Sequence, residues 1–253
     1  MRAGLMRGVT AVAVVIPARD EEELVGDCLQ SVVHAAAVAR RRYGRRVAVT
    51  VVLVADGCTD GTAAIARAIE GVEVVETSGS NVGAARKAGV DHALAGLAAP
   101  ADRIWIANTD ADSVVPTNWL TEQLALAADD VDLMIGTVHP TFAELSCAQV
   151  AAWRQNHRPG VPNGHAHGAN LGIRASTYLR VGGFPAIPEH EDNDLVDRVR
   201  ASGARIVASD RCDVQTSGRR VGRTDGGYAR FLHGGELESR AAGARAAEER
   251  PVA

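Results

Sequence analysis

The first hundred or so residues alternate between two chemical periods, and this alternation constrains the fold more than any other feature of the chain. β-Branched apolar runs at 10–16, 47–54, 72–75 and 103–107 are separated by Ala-rich stretches at 21–42, 62–69 and 82–97, which are built from good helix formers. Strand–helix–strand order of this kind predicts a mainly parallel sheet flanked by helices. In such sheets ligands lie beyond the carboxyl ends of the strands, so the loops just after each apolar run are where chemistry is expected.

After Asp110 the regularity weakens. Helices are expected at 117–128 and 144–155, with a strand at 131–138 between them. The run HRPGVPNGHAHG (157–168) reads as a loop long enough to suggest function. A strand at 170–173, a helix from Ala175, the pair Gly182-Gly183, a helix at 192–202 and a strand at 205–208 follow. The Ala, Arg and Glu residues from Glu236 onward read as a solvated helix that frays. The run RRRYGRR (40–46) reads as a helix end, its cations complementing the dipole and its Gly capping, with a membrane-surface patch as the alternative. No repeat and no Pro/Ser-rich linker divides the chain.

Composition removes several function classes. The 253 residues carry a net charge of −4, so no basic excess favours a nucleic-acid partner. Apolar runs such as 47–55 are strand-sized and far short of a bilayer span of about 20 residues. The N-terminal apolar stretch ends in Pro-Ala-Arg-Asp with acids, not a small-residue cleavage site, and reads as a first strand. The four cysteines, Cys28, Cys58, Cys147 and Cys212, contain no CxxC pair, which predicts free thiols and a cytoplasmic location.

Each early strand ends in a polar cluster: Pro17-Ala18-Arg19-Asp20-Glu21, Asp56-Gly57, residues 77–81, and Asp110-Ala111-Asp112. Acids converging on one sheet edge raise one another's pKa unless paired or metal-bound, so Mg²⁺ or Mn²⁺ is the expected cofactor. The Asp110/Asp112 pair and the Glu191-Asp192 pair also have plainer readings, as turn or helix-start acids. No G-x-G-x-x-G follows the first strand, which argues against a dinucleotide cradle. His165 and His167 read as exposed loop residues, whereas His233, just after a basic segment, is taken as a second metal ligand beside Asp112.

Taken in order, VIPARDEE, VADGCTD, Asn81-Val82-Gly83 with Ala85-Arg86, Asp110-Ala111-Asp112, and Gly182-Gly183-Phe184 with Glu191-Asp192 resemble glycosyltransferase family 2 over about residues 10–235. The resemblance implies an α/β GT-A fold as one domain, with a nucleotide-sugar half at about 10–115, a mixed acceptor half at about 116–235 and a tail at 236–253. It implies that Pro17, Ala18, Arg19, Glu21 and Asp56 hold base and ribose, with Arg86 near the nucleotide. Asp110 and Ala111 would contact the donor, Asp112 the metal, and Arg219 and Arg220 the diphosphate. Gly168, Ala169, Asn170 and Glu191 would line the acceptor side, and Asp192 matches the general base. The implied activity is metal-dependent, inverting transfer from a UDP-sugar to a sugar, small-molecule or lipid-linked acceptor. This sequence departs from the family pattern at Ala55, Asp20 and Lys87, and it has no Gln-x-x-Arg-Trp of processive synthases. A nucleotidyltransferase and a non-catalytic nucleotide-sugar-binding protein are the alternatives. The first usually needs a Gly/Arg/Lys-rich loop after strand one, and the second would not need Asp192.

Overall fold

All four apolar runs of the first half become strands, and a helix follows each of the first three. In the computed structural model, which describes residues 8–79, 81–223, 227–234 and 237, these are β1 (Ala11–Ala18), α1 (Val25–Tyr43), β2 (Ala48–Asp56), α2 (Thr62–Arg67), β3 (Val72–Thr77), α3 (Val82–Gly96) and β4 (Ile104–Asn108). Val12, Val14 and Ile16 of β1 enter one core layer and Ala11, Ala13 and Val15 the other, which is why β1 reads as continuous hydrophobicity. The first layer is covered by α1 through Val25, Leu29, Val32, Ala36 and Ala39, spaced at one helical face. The second is covered by α3, where Gly89 permits close approach: a Cβ there would sit 2.6 Å from Val15 Cγ1 and 2.8 Å from Val54 Cγ2. Helix α1 ends as its sequence indicates, with Gly44 at φ 65° as the cap.

The second half continues with β5 (Ser113–Val114), α4 (Trp119–Ala128), β6 (Leu133–Pro140), α5 (Cys147–Asn156), β7 (Leu171–Arg174), α6 (Ala175–Arg180), α7 (Glu191–Ala201), β8 (Ile206–Thr216) and α8 (Tyr228–His233). The sheet runs β3-β2-β1-β4-β7-β6-β8-β5. Its first four strands are parallel, β7 is antiparallel to β4 and β6, β8 is parallel to β6, and β5 is antiparallel to β8. Buried Arg174 closes the end of α4, donating to the carbonyls of Ala127 (2.7 Å) and Val131 (3.2 Å).

Several elements differ from the sequence reading, among them α8, which was not anticipated, and α5, which starts at Cys147 instead of 144. Strand β8 runs to Thr216 instead of ending at 208, because Cys212, Val214 and Thr216 turn inward alternately past a pairing irregularity between Gly136 and Val138. Strand β5 was not anticipated; two residues carry no periodicity. Helix α1 starts four residues later than expected. Glu21 is held out of it: its N–H donates to Thr62 Oγ1 (2.7 Å) while its carbonyl receives the N–H of Val25. The tail expected from Glu236 lies outside the described residues, Leu237 excepted.

Candidate functional site

Beyond the carboxyl ends of β1, β2 and β4 lies a cavity of about 650 Å³. Asp56, at the end of β2, turns its carboxylate onto the next loop, accepting from Thr77 Oγ1 (2.8 Å), Gly79 N (2.9 Å) and Asn81 N (2.8 Å). After β4, the chain presents Asp110 and Asp112 on the same cavity wall. Strand β5 fixes the second of these, since Ser113 Oγ donates to Thr216 Oγ1 (2.9 Å) and Thr216 Oγ1 reaches Asp112 Oδ1 (3.3 Å).

The opposite wall comes from 188–193, carried on a segment that packs on α3 from Pro185 onward. Gly83, in the first turn of α3, is the contact point: a Cβ there would lie 2.0 Å from the Pro185 carbonyl. This docking brings Glu191 to Arg86, one turn further along α3. Arg86 is buried; its Nε donates to Glu191 Oε1 (2.9 Å) and its Nη2 to Asp110 Oδ1 (2.5 Å). Gly168 covers it, because a Cβ at 168 would meet Nη2 at 2.1 Å. His190 turns into α7 with φ 62°, a conformation unusual for a side-chain-bearing residue, and directs Glu191 and Asp192 into the first turn. Asp192 Oδ2 accepts the Gly168 N–H (2.8 Å) and its Oδ1 the Asn193 N–H (2.7 Å).

Across the mouth, Arg219 grips Glu21 with both guanidinium nitrogens (2.8 Å each) and reaches Asp112 Oδ2 (3.0 Å). Arg223 adds a second cation to Glu21 (3.1 Å). Burial, then the Asp110 charge, pushes the Asp112 carboxyl up to about 6, against Arg219. Burial also raises the pKa of Glu191 and Asp192, and Arg86 opposes the rise in both. For Arg86 itself burial works against the charge, yet Asp110 and Glu191 outweigh it and the pKa goes up. Among the described residues, seven carboxylates and four arginines line the cavity, a formal charge of −3 for that set.

The sequence profile of glycosyl transferase family 2 matches residues 13–177, well over half of the chain. The chain belongs to glycosyl transferase family 2. No curated protein sequence matches it. Similar solved structures include the Pyrobaculum calidifontis mannosyltransferase PcManGT in complex with GDP-Man and Mn²⁺, at 18% identity and TM-score 0.59, covering 96% of this chain and 76% of that one. Residues 1–349 of S. aureus TarS in complex with UDP-GlcNAc align at 14% identity and TM-score 0.61 over 93% of this chain and 66% of that one. GalNAc-T7 with UDP, GalNAc and Mn²⁺ aligns at 13% and 0.60 over 91% and 48%. The chain spans 37% of the longer TarS chain. Identities this low carry the GT-A fold alone.

Within this family 2 domain the structure gathers most of the anticipated residues. Pro17, Ala18, Arg19, Glu21, Asp56, Arg86, Asp110, Ala111 and Asp112 line the cavity from one side, and Gly168, Ala169, Glu191 and Asp192 from the other, with Arg219 at the mouth. Three others it does not bring there. Asn170 is fully buried, donating to the carbonyls of Thr137 and Cys212 and accepting from Trp119 Nε1; it ties β6, β8 and α4 together. Arg220 is exposed off the cavity wall. His233 spends Nδ1 on Gln149 and Nε2 on the Gly218 carbonyl (2.9 Å each), away from Asp112. Among the described residues, the three metal-ligating side chains whose ligand atoms lie within 4.8 Å of one another are Asp20, Cys58 and Asp60, on the neighbouring loops. These acids cap loop amides: Asp20 accepts Thr59 N (2.7 Å) and Asp60 accepts Thr62 N (3.0 Å).

Sequence reasoning missed Arg223, Tyr228 and the placement of His167. Arg223 had a signal, as the third arginine of the Gly/Arg-rich run 217–223. Far from being exposed, His167 is half-buried on the cavity wall. Burial, then repulsion from His165 and His157, lowers its pKa to about 4 and leaves it neutral at physiological pH.

Proposed function

We propose that the chain transfers a sugar, with inversion, from a nucleoside diphosphate sugar of the UDP class to an acceptor hydroxyl. The observation that carries this reading is one cavity in which strand-end acids and Arg219 face Asp192 across the Arg86 bridge. The residues from Pro17 to Glu21, with Asp56, form the base and ribose side, and Arg219 and Arg223 lie where a diphosphate would leave. Arg86 Nη1, buried and without a partner among the described residues, is a remaining donor beside the same space.

The acid excess among the described lining residues and the raised Asp112 carboxyl suit a divalent ion. Asp112, with Asp110 beside it, would hold Mg²⁺ or Mn²⁺, which when bound offsets charge on the departing diphosphate. Arg219 would release Asp112 and turn to the phosphate oxygens, exchanging one anion for another. Asp192 receives the acceptor proton while the hydroxyl oxygen bonds to the anomeric carbon. The bond from that carbon to the diphosphate oxygen breaks, its electron pair leaving with the nucleotide. A single displacement of this kind inverts the anomeric centre.

The test is thermal denaturation with UDP. UDP should raise the melting temperature when Mn²⁺ or Mg²⁺ is present and fail to do so in EDTA. Asp112→Asn should remove the metal-dependent part and leave the fold, because it deletes a charge at the sheet edge and no core volume. Equal shifts in EDTA, or an Asp112→Asn variant that binds UDP and Mn²⁺ as tightly as the parent, would overturn the metal assignment.

A further inference from the structure

Helices α2, α3 and α7 balance exposed cations with nearby acids: Arg67 pairs with Glu76, Lys87 with Asp91, Arg198 with Asp194 and Arg200 with Asp197. Helix α1 does not. Arg40, Arg41 and Arg42 close it and Arg46 follows in the next turn; all four are exposed, and among the described residues none has a carboxylate within ion-pair distance. Arg40 donates to the Val49 carbonyl (2.9 Å), and Arg42 lies over the Tyr43 ring, 5.8 Å from its centroid. A helix end gains from a cation or two in its last turn, but five arginines within residues 40–46 repel one another, and no described acid offsets that by an ion pair.

This group sits at the amino ends of the parallel strands, the edge away from the cavity. Arg46 stands two residues ahead of β2. Arg103, also exposed and without an ion pair among the described residues, directly precedes β4, and its carbonyl accepts the Thr10 N–H at the entry to β1 (2.8 Å). From there β1 runs eight residues, about 25 Å, to the cavity wall. The acids of the same edge are Glu70, Asp102, Asp129, Asp130 and Asp132, and the last is occupied by the Arg205 N–H (3.0 Å) and by Arg174 at 3.7 Å. Set against Arg205 and the arginines at 40–42, 45, 46 and 103, these five acids leave the edge at +2. The cavity lining at the other end of the strands has an acid excess instead. Charge is therefore polarised along the strand direction, with its positive pole around the end of α1.

We infer that this pole is a docking surface for an anionic membrane leaflet, which holds the chain peripherally with its cavity turned away from the bilayer. Among the described residues no helix is long and apolar enough to cross a membrane, and the contact proposed is with the headgroups. Four to eight arginines or lysines grouped on an amphipathic helix is a charge pattern that anionic headgroups attract, and the forked donors of arginine match lipid phosphates. Tyr43 adds a half-buried ring of the interfacial kind, and the sequence ahead of Gly8, MRAGLMR, adds two arginines, two methionines and a leucine to the chain that enters β1 at this edge. A nucleic acid fits less well, because the chain as a whole carries −4 and a phosphate ladder longer than the pole runs onto the acids beside it. A leaflet can touch the pole alone. The inference stands apart from the transferase reading, since no residue of the pole lines the cavity.

The probes are vesicles of phosphatidylcholine alone and of phosphatidylcholine with about one-third phosphatidylglycerol, floated with the full chain in about 50 mM and about 500 mM salt. The partition coefficient should be at least about a hundredfold higher on the anionic vesicles at low salt, and high salt should remove most of that preference. At roughly fivefold per arginine, Arg41→Gln/Arg42→Gln/Arg46→Gln should lower partitioning about a hundredfold. Arg40 is kept because it also holds the Val49 carbonyl. The matched control Arg67→Gln/Lys87→Gln/Arg200→Gln removes the same charge from α2, α3 and α7 and should stay within about fivefold of the parent. Circular dichroism of both variants reports the fold, and if the first failed to fold, the salt and lipid comparisons on the parent would decide. Equal partitioning onto neutral and anionic vesicles, insensitivity to salt, or equal losses in the two folded triple variants would each overturn the inference. So would tighter binding to a DNA duplex of about 20 base pairs, or to single-stranded RNA, than to anionic vesicles at equal phosphate concentration, which would make the partner a nucleic acid.

Discussion

Arg86 is the residue whose removal tests the architecture of the site most directly, and Arg86→Met is the sharpest form of the test because methionine keeps most of the packing against Phe184. The guanidinium has two anionic partners of unequal standing. Asp110, with its side chain 36% exposed, can regain water, so its pair is worth about 1 kcal/mol or less. Glu191, 6% exposed at 2.9 Å, cannot, and leaving one member of a buried pair alone costs about 3–5 kcal/mol. The lone carboxylate can relieve part of this by taking up a proton, so about 3 kcal/mol is expected at pH 7. For a chain of this length that lowers the melting temperature by roughly 6–12 °C. Burial already raises the Glu191 pKa and Arg86 holds it down, so without Arg86 it rises further. The folded variant then binds more protons than the unfolded chain above the ordinary carboxylate range, and the deficit must shrink as pH falls from 7 towards 5. The assay is urea denaturation of parent, Arg86→Met and Arg86→Met/Glu191→Gln at both pH values. The double variant, with no buried charge to strand, should recover at least half of the loss. A single-variant cost below about 1 kcal/mol, or a double variant no more stable than the single, would refute the claim that Glu191 depends on Arg86.

Asp192→Asn should leave the UDP dissociation constant within a few-fold and lower transfer by ~10²–10⁴, the usual contribution of a general base. If Asp192 were only a helix-start acid, turnover would stay near normal while stability fell by ~0.3–1 kcal/mol. Because burial raises the Asp192 pKa, the acid limb of kcat/KM should rise with pH through a midpoint above the ordinary aspartate value of 3.8; a midpoint at or below it would contradict the assignment. Gly168→Ala forces a methyl against Arg86 Nη2 and should cost ~1–3 kcal/mol in a urea melt, a cost that should largely disappear in the Arg86→Met background. Equal costs in both backgrounds would show that Gly168 is needed for some other reason.

The sequence by itself determined the layered α/β frame, because strand and helix are written in short-range periods that a single pass along the chain can read. The acids placed just after β1, β2 and β4 were legible for the same reason, since a polar residue ending an apolar run must emerge at the sheet edge. The matching residues after Gly182-Gly183 were readable from their order along the chain, although their neighbours were not.

Tertiary structure decided which of these groups touch. Arg86 meets Glu191 across 105 residues and Arg219 meets Glu21 across 198, and no local period encodes such distances. They depend on how closely Gly83 lets the 185–191 segment approach α3 and on where β8 delivers the chain after Thr216. The same packing turned Asn170 into a tie between strands, drew His233 onto Gln149 and Gly218, and set His167 beside Tyr228 on the cavity wall. A side chain's type limits the bonds it can make, but burial and geometry choose among them, because only the packed chain fixes which partners are within reach and which are still in water.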